Sequence, residues 1–249
     1  MTNEWEINLP RKKNEITIVM AYYENGQMLQ RHLKEWKSYP FAFKSLLKVI
    51  IVDDGSTFDP AWDNMTIDPG FPVRLFRIKQ DIPWNQNGAR NLGMHHAEGW
   101  CLLTDMDHLL PTTCVGSMVN MKLKRDYAYR PLRTKVDGSD YKRHPNTYLI
   151  HQGMYADLGG YDESYAGYYG TDSTFRRRLC DTTKLIDTDA FHVVLYGRED
   201  IPDASTDPDQ YGRKDTEYHV SRNPELAARK KLCPAPIKPL NFDWEELPL

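Results

Sequence analysis

Trp100-Cys101-Leu102-Leu103-Thr104-Asp105-Met106-Asp107-His108 is the stretch on which the reading of this chain turns. Its apolar start, Trp100 to Thr104, has the length and content of a buried strand. Two carboxylates, one residue apart, follow where the strand opens into a loop. Such a pair suits a hard divalent cation and, through it, a diphosphate. Asp-x-Asp alone is common in loops, so its meaning depends on what surrounds it.

Upstream, Ile16–Met20 is β-branched at four of its five positions and reads as a buried strand. Met28, Leu29, Leu33 and Trp36 then fall at helical spacing. Leu46–Val52 and Val73–Ile78 read as two further strands, and Asn87–Ala97 as a helix between the third strand and Trp100–Thr104. A helical stretch begins at Pro111. This alternation predicts an α/β fold, with a mostly parallel, Rossmann-like sheet flanked by helices. Ligands of such sheets collect at the carboxyl ends of the strands. Three polar clusters sit at such ends: Ala21–Asn25, Asp53–Ser56 and Asp105–His108. Carboxylates gathered there need a cation or hydrogen-bond donors to offset their burial.

The second half alternates less clearly and reads as an irregular acceptor side. Tyr155–Gly160 has the form of a helix closing on Gly159-Gly160. Asp172–Leu179 has the form of another, with Asp172 at its N-terminus. Phe191–Leu195 reads as a late strand. The expected division is a polar arm over 1–14 and a catalytic domain over 15–199. Within the domain, 15–110 is the nucleotide half and 111–199 the acceptor half. An extension over 200–249 is expected to pack on the domain.

The chain has 249 residues, 40% of them hydrophobic, which suffices for a core and excludes global disorder. Its formal charge of −3 gives no overall drive toward nucleic acid or anionic membrane. The four cysteines form no CxxC pair, so a zinc ribbon is excluded, and their spacing fits reduced thiols. Met1–Arg11 carries no apolar leader. No run approaches the roughly 18 apolar residues of a spanning helix. A soluble, cytoplasmic protein is expected, with any membrane contact peripheral.

Four blocks, in order, resemble family 2 glycosyltransferases of the GT-A fold. They are Ile16–Glu24, Val49–Ser56, Asn87–Gly93 followed by Leu102–Asp107, and Gly159–Glu163 followed by Gly170–Asp172 and Phe175–Leu179. The resemblance spans about residues 15–195. It implies a metal-dependent, inverting transfer of a sugar from a nucleotide-diphosphate sugar, most simply a UDP-sugar, to an acceptor hydroxyl.

It also implies roles for particular residues. Asp54, with Asp53 behind it, would accept from a nucleobase; a carboxylate can read one base edge. Ala21, Tyr22, Tyr23 and Glu24 would form the nucleotide loop, with Tyr22 or Tyr23 on the base. Asn87 and Gly88 would let backbone approach the nucleotide, and Arg90 would pair with a phosphate or with the acidic cluster. Asp107, helped by Asp105 and His192, would hold Mn²⁺ or Mg²⁺, with Asp105 nearer the ribose. Imidazole in the set favours Mn²⁺. Asp172 would be the base that takes the acceptor proton. Family members carry Glu-Asp where this chain has Thr171-Asp172, so how the acceptor is held departs from the pattern. Tyr168, Tyr169 and Thr171 would contact the acceptor.

Two other readings fit the same architecture. A sugar nucleotidyltransferase would need a basic, Gly-rich loop after the first strand, and Ala21–Gly26 has no basic residue. A catalytically degenerate nucleotide-sugar or glycan binder is kept open by the missing glutamate before Asp172. The acceptor stays open among saccharide, glycolipid, protein and modified nucleic acid. The basic stretch Arg125–Arg143 is either a meeting point for an anionic acceptor or a solvated loop.

Overall fold

A computed structural model describes residues 13–171, 173–182, 184–205, 219–234 and 240–249. The first strand, β1 (Ile16–Tyr22), leads into α1 (Gly26–Ser38) and the short α2 (Phe41–Lys44), then β2 (Leu47–Asp53) and β3 (Val73–Ile78). Helix α3 (Gln86–His96) returns the chain to β4 (Trp100–Asp105) and, across a tight turn, β5 (His108–Leu109). Then follow α4 (Thr112–Asn120), β6 (Tyr127–Lys135), β7 (Asp140–Tyr141), β8 (Tyr148–His151) and α5 (Gln152–Asp157). The remainder comprises α6 (Ser173–Thr182), β9 (Lys184–Leu195), α7 (Pro224–Leu232) and β10 (Trp244–Leu247).

The strands form one mixed sheet in the order β10-β3-β2-β1-β4-β8-β6-β9-β5, with β7 on β6. The expected parallel half is present: β1 pairs in parallel with both β2 and β4, and β2 with β3. The β1 sequence explains its central place. Ile16, Ile18, Met20 and Tyr22 point to one face, where Met28, Leu29, Leu33 and Trp36 of α1 cover them. Val19 points to the other face, under Ala89, Leu92 and Met94 of α3. A strand apolar on both faces must be covered on both, which is what the crossover helices provide. Helix α3 comes very close: a Cβ on Gly93 would stand 2.5 Å from Val19 Cγ1.

The chain leaves β1 toward β2 and β3, then crosses back to β4 on the other side of β1. The β1/β4 boundary is therefore where the strand order reverses, and the crevice at its carboxyl end is the expected ligand site.

The second half is more regular than its sequence suggests. Strands β6, β8 and β9 extend the same sheet, β8 antiparallel to β4 and β9 parallel to β6. Arg125–Arg143 is thus largely the β6–β7 pair and not a solvated loop. Arg130 is ion-paired to Asp187, and Arg143 to Asp187 and Asp189. Arg133 is buried. At the other edge, β10 pairs antiparallel with β3, so part of the 200–249 extension belongs to the sheet. Asn14, expected in a loose arm, donates through Nδ2 to the carbonyls of Met118 and Met121.

Among the described residues, no helix is long and apolar enough to cross a membrane.

Candidate active site

The three polar strand ends do meet. Ala21 and Tyr22 of β1 with Tyr23 just after it, Asp54 after β2, and Asp105 at the end of β4 with Asp107 after it line one cavity of about 200 Å³. Arg90 of α3 completes this set. Trp84 before α3 and Gln86 at its start close it on one side, and Ala204 and Ser205 from the segment after β9 on another.

The two neighbouring aspartates of β2 have separate jobs. Asp53 is fully buried, and its carboxylate accepts from the backbone N–H of Ser56 (2.8 Å) and of Ala61 (2.8 Å). It shapes the loop after β2. Asp54 faces the cavity and accepts at Oδ1 from Asn85 Nδ2, 3.1 Å away. Glu24, expected on the nucleotide, is likewise spent on the loop: it accepts from the N–H groups of Thr57, Phe58 and Asp59. It does so from a left-handed backbone conformation, φ 55°.

Both tyrosines border the cavity, but their hydroxyls differ. Tyr22 is fully buried and donates to the Asp59 carbonyl. Tyr23 reaches the Asp81 carboxylate at 3.2 Å.

Asn87 and Gly88, expected to let backbone approach the nucleotide, are not among the residues lining the cavity. Asn87 Nδ2 donates to the Asp162 carbonyl at 3.0 Å. A Cβ on Gly88 would stand 2.5 Å from Asn85 Oδ1 and 2.6 Å from the Phe242 ring. These residues, with Asn91 bonded to Tyr161 and Glu163, tie α3 to the following half of the domain.

The acidic pair occupies the turn from β4 to β5. Arg90 Nη2 lies 2.6 Å from Asp105 Oδ1, and His144 Nε2 lies 3.4 Å from Asp105 Oδ2. Burial favours the neutral Asp105 carboxyl, but Arg90, with His144 behind it, outweighs burial and holds it below the ordinary carboxylate range. Asp107 moves the other way. Burial raises it first, and the Asp105 carboxylate adds to this, against a smaller opposing effect of Arg133.

Asp107 Oδ1 is buried and has no hydrogen-bond partner. The nearest ring nitrogen, His108 Nε2, is 3.7 Å away. That nitrogen faces Arg133 Nη1 at 3.2 Å. A guanidinium only donates, so Nε2 must accept and the His108 proton sits on Nδ1. There it faces the hydroxyls of Thr104 (3.1 Å) and Thr147 (3.2 Å). His108 therefore has no proton for Asp107. Burial, and next the neighbouring His144, keep this imidazole neutral, with its pKa well below the ordinary value. The turn is pinned from α1, where buried His32 Nε2 meets the Met106 carbonyl at 2.7 Å.

His192 does not join this cluster. It lies in β9 opposite Leu132, three residues before Leu195, the residue that pairs with His108. Among the described residues, no three His, Cys, Asp or Glu side chains converge to hold a metal. The imidazoles beside the pair belong to His108 and His144, the latter unforeseen because it follows the basic stretch.

On the acceptor side, Tyr169 is half exposed and packs edge-on against Trp84, ring centres 5.8 Å apart. It is thereby brought to the rim of the cavity. Tyr168 accepts from Asn223 Nδ2 at 3.0 Å. Thr171 is buried, and its carbonyl accepts from the backbone N–H and hydroxyl of Thr174. Asp172, the expected base, lies outside the described residues.

Asp203 escaped the sequence reading. Its carboxylate accepts from the N–H groups of Gln27 (2.6 Å) and Met28 (3.0 Å), in the first turn of α1. This remote cap holds Ala204 and Ser205 against the cavity.

Comparison with known proteins agrees with this fold. The fold matches a mannosyltransferase from Pyrobaculum calidifontis solved with GDP-Man and Mn²⁺ (TM-score 0.55, 16% identity, 74% of this chain and 57% of that one). It also matches S. aureus TarS 1-349 solved with UDP-GlcNAc (0.61, 12%, 79% and 63%). A third match is GalNAc-T7 with UDP, GalNAc and Mn²⁺ (0.59, 14%, 74% and 44%). The chain thus spans between about two fifths and three fifths of these proteins' lengths. No curated protein matches it in sequence. The model of the family "Glycosyl transferase family 2" matches residues 17–184, which takes in the cavity walls from β1 through the acidic pair, and the chain belongs to that family.

Proposed function

We propose that the protein transfers a sugar from a nucleotide-diphosphate sugar, a UDP-sugar in the simplest case, to an acceptor hydroxyl with inversion. The observation that carries this reading is the convergence of Asp54, Arg90, Asp105 and Asp107 on one cavity at the point where the strand order reverses. Family membership and the nucleotide sugars named for the matched structures support it.

In this reading Asp54 takes the base, with Asn85 fixing one of its oxygens. Asp105 lies toward the ribose, oriented by Arg90. The residues present suit a divalent cation through Asp107, whose Oδ1 is buried without a hydrogen-bond partner and whose carboxylate lies beside a second one. With no third side chain converging on it among the described residues, substrate oxygens and water would complete the set. When bound, Mn²⁺ or Mg²⁺ supplies charge neutralisation of the departing diphosphate. Asp172 accepts the acceptor proton as the acceptor oxygen bonds to the anomeric carbon. The bond from that carbon to the diphosphate breaks and nucleoside diphosphate leaves. Tyr169, edge-on to Trp84, forms an aromatic wall between donor and acceptor.

Donor turnover tests this directly. Release of UDP from a UDP-sugar in Mn²⁺, abolished in Asp107→Ala, supports it. Absence of release with UDP-, GDP-, CMP- and dTDP-sugars, with acceptor extract present, would sink the enzymatic reading and leave a binding protein.

A further inference from the structure

A second cavity, of about 610 Å³, lies between α6, α7 and strands β6 and β9. Its lining includes Arg130, Arg176, Arg177, Lys230 and Lys231 and, among the described residues, no carboxylate. The chain as a whole carries a net −3, so this concentration does not reflect general basicity. Asp187 answers Arg130 through two bonds of 2.7 and 2.8 Å. Arg176, Arg177, Lys230 and Lys231 form no ion pair among the described residues. Arg177 donates to the Lys231 carbonyl at 2.8 Å and Lys230 to the Gly170 carbonyl, contacts that orient these side chains without neutralising them.

Four cations on two facing helices is a large charge to leave to water. A single phosphate monoester brings about −1.5 to −2 and would answer roughly half of it. A phosphodiester chain brings one charge per linkage, so several consecutive linkages match the array. Among the described residues no aromatic side chain lines the cavity, so bases find no stacking platform there and recognition falls on the backbone. A short run of chain also links this cavity to the first one. Ser173 and Thr174 line the second cavity, and Tyr169, four residues before Ser173, packs on Trp84 of the first cavity.

We infer that the second cavity seats the phosphodiester backbone of the acceptor and holds two or more consecutive phosphates. A hydroxyl carried by that polymer is thereby brought to the donor. The inference rests on the reading of the first cavity as the donor site.

The test is fluorescence anisotropy of the full chain, across a salt series, with two labelled probes. One is an eight-residue oligodeoxythymidylate and the other a glycerol phosphate oligomer with the same number of phosphates. Binding is expected with a slope of log affinity on log salt of about −0.7 per phosphate held, hence about −1.4 to −2.8 for two to four. Arg177→Gln and Lys231→Gln, both at exposed positions, should each flatten the slope and weaken binding about threefold or more. Neither should alter the stabilisation by nucleotide sugar and Mn²⁺. The tighter of the two oligomers identifies the source of the phosphodiester. The inference is overturned if neither oligomer binds, if glycerol 3-phosphate binds as tightly as the oligomers, or if both variants keep full affinity. Stabilisation by donor without oligomer binding would defeat this inference alone. Oligomer binding without any response to donor would defeat the donor reading instead.

Discussion

Arg90 Nη2 donates to Asp105 Oδ1 across 2.6 Å, joining the middle of α3 to the last residue of β4. The arginine is almost fully buried, while the aspartate keeps a quarter of its side chain exposed toward the cavity. The pair is therefore both a brace between layers and a wall of the site. Removing one partner of a buried pair strands the other charge. Arg90→Met should cost about 3 kcal/mol in denaturant unfolding. Asp105→Asn in the Arg90→Met background should cost much less than Asp105→Asn alone, which a double-mutant cycle reads directly.

Asp53 and Asp54 are adjacent in the chain and should separate cleanly in experiment. Asp53→Asn turns one acceptor oxygen into a donor facing a backbone N–H, so it should lower stability by about 1–3 kcal/mol. Asp54→Ala leaves the buried Asn85 amide short of an acceptor and should cost about 1–2 kcal/mol, but it alone of the two should raise the donor Kd tenfold or more, about 1.4 kcal/mol. Unfolding and donor titration on the same two variants decide the assignment.

Acid should weaken the fold through its buried histidines. Burial lowers the His32 pKa to about 4, partly offset by the Met106 carbonyl, against an ordinary value of 6.5. The unfolded chain then binds more protons than the folded one between these values, so stability rises with pH across that window and is fully present above about 6.5. His108 shifts in the same direction. For His32 the effect is on the order of 3 kcal/mol. His32→Gln should flatten the unfolding free energy between pH 4 and about 6.5. It should also loosen the turn carrying Asp105 and Asp107.

Asp203 reaches the first turn of α1 from 175 residues farther along the chain. Asp203→Ala removes two acceptors from otherwise unsatisfied N–H groups and should cost about 1–2 kcal/mol. It should also free Ala204 and Ser205 from the cavity, so KM for the donor should rise more than kcat falls. A fall in kcat at unchanged KM would speak against this role.

How far these features were legible depended on the range of the interactions behind them. The strands β1 to β4 are apolar on both faces, and local hydrophobic runs report that directly. Their carboxyl-end residues follow once the alternation with helices is seen, which is why Ala21, Asp54, Asp105 and Asp107 meet as expected. The resemblance ranks Asp54 ahead of Asp53, but no local pattern says what Asp53 does instead. Asp53 and Glu24 look like ligand residues, yet their carboxylates are taken by backbone N–H groups of the loop after β2. Long-range pairing stayed hidden as well. Arg130 of β6 and Arg143 after β7 read as a charged loop because their partners, Asp187 and Asp189, lie beyond residue 180. The His108–Arg133 contact and the Asp203 cap have no local signature at all. His192 had the right residue type in the right order, but β9 sets it beside Leu132 and away from the acidic turn.

The central claim is that Asp107 carries a metal-dependent donor site, and thermal unfolding with nucleotide sugar tests it most directly. At a UDP-sugar concentration of about 100 times Kd with Mn²⁺ present, binding should add about 2.7 kcal/mol, raising Tm by roughly 5–10 °C. The rise should vanish without the metal and in Asp107→Asn with the metal present. No rise with any nucleotide sugar, or an equal rise in Asp107→Asn and without Mn²⁺, would contradict the account.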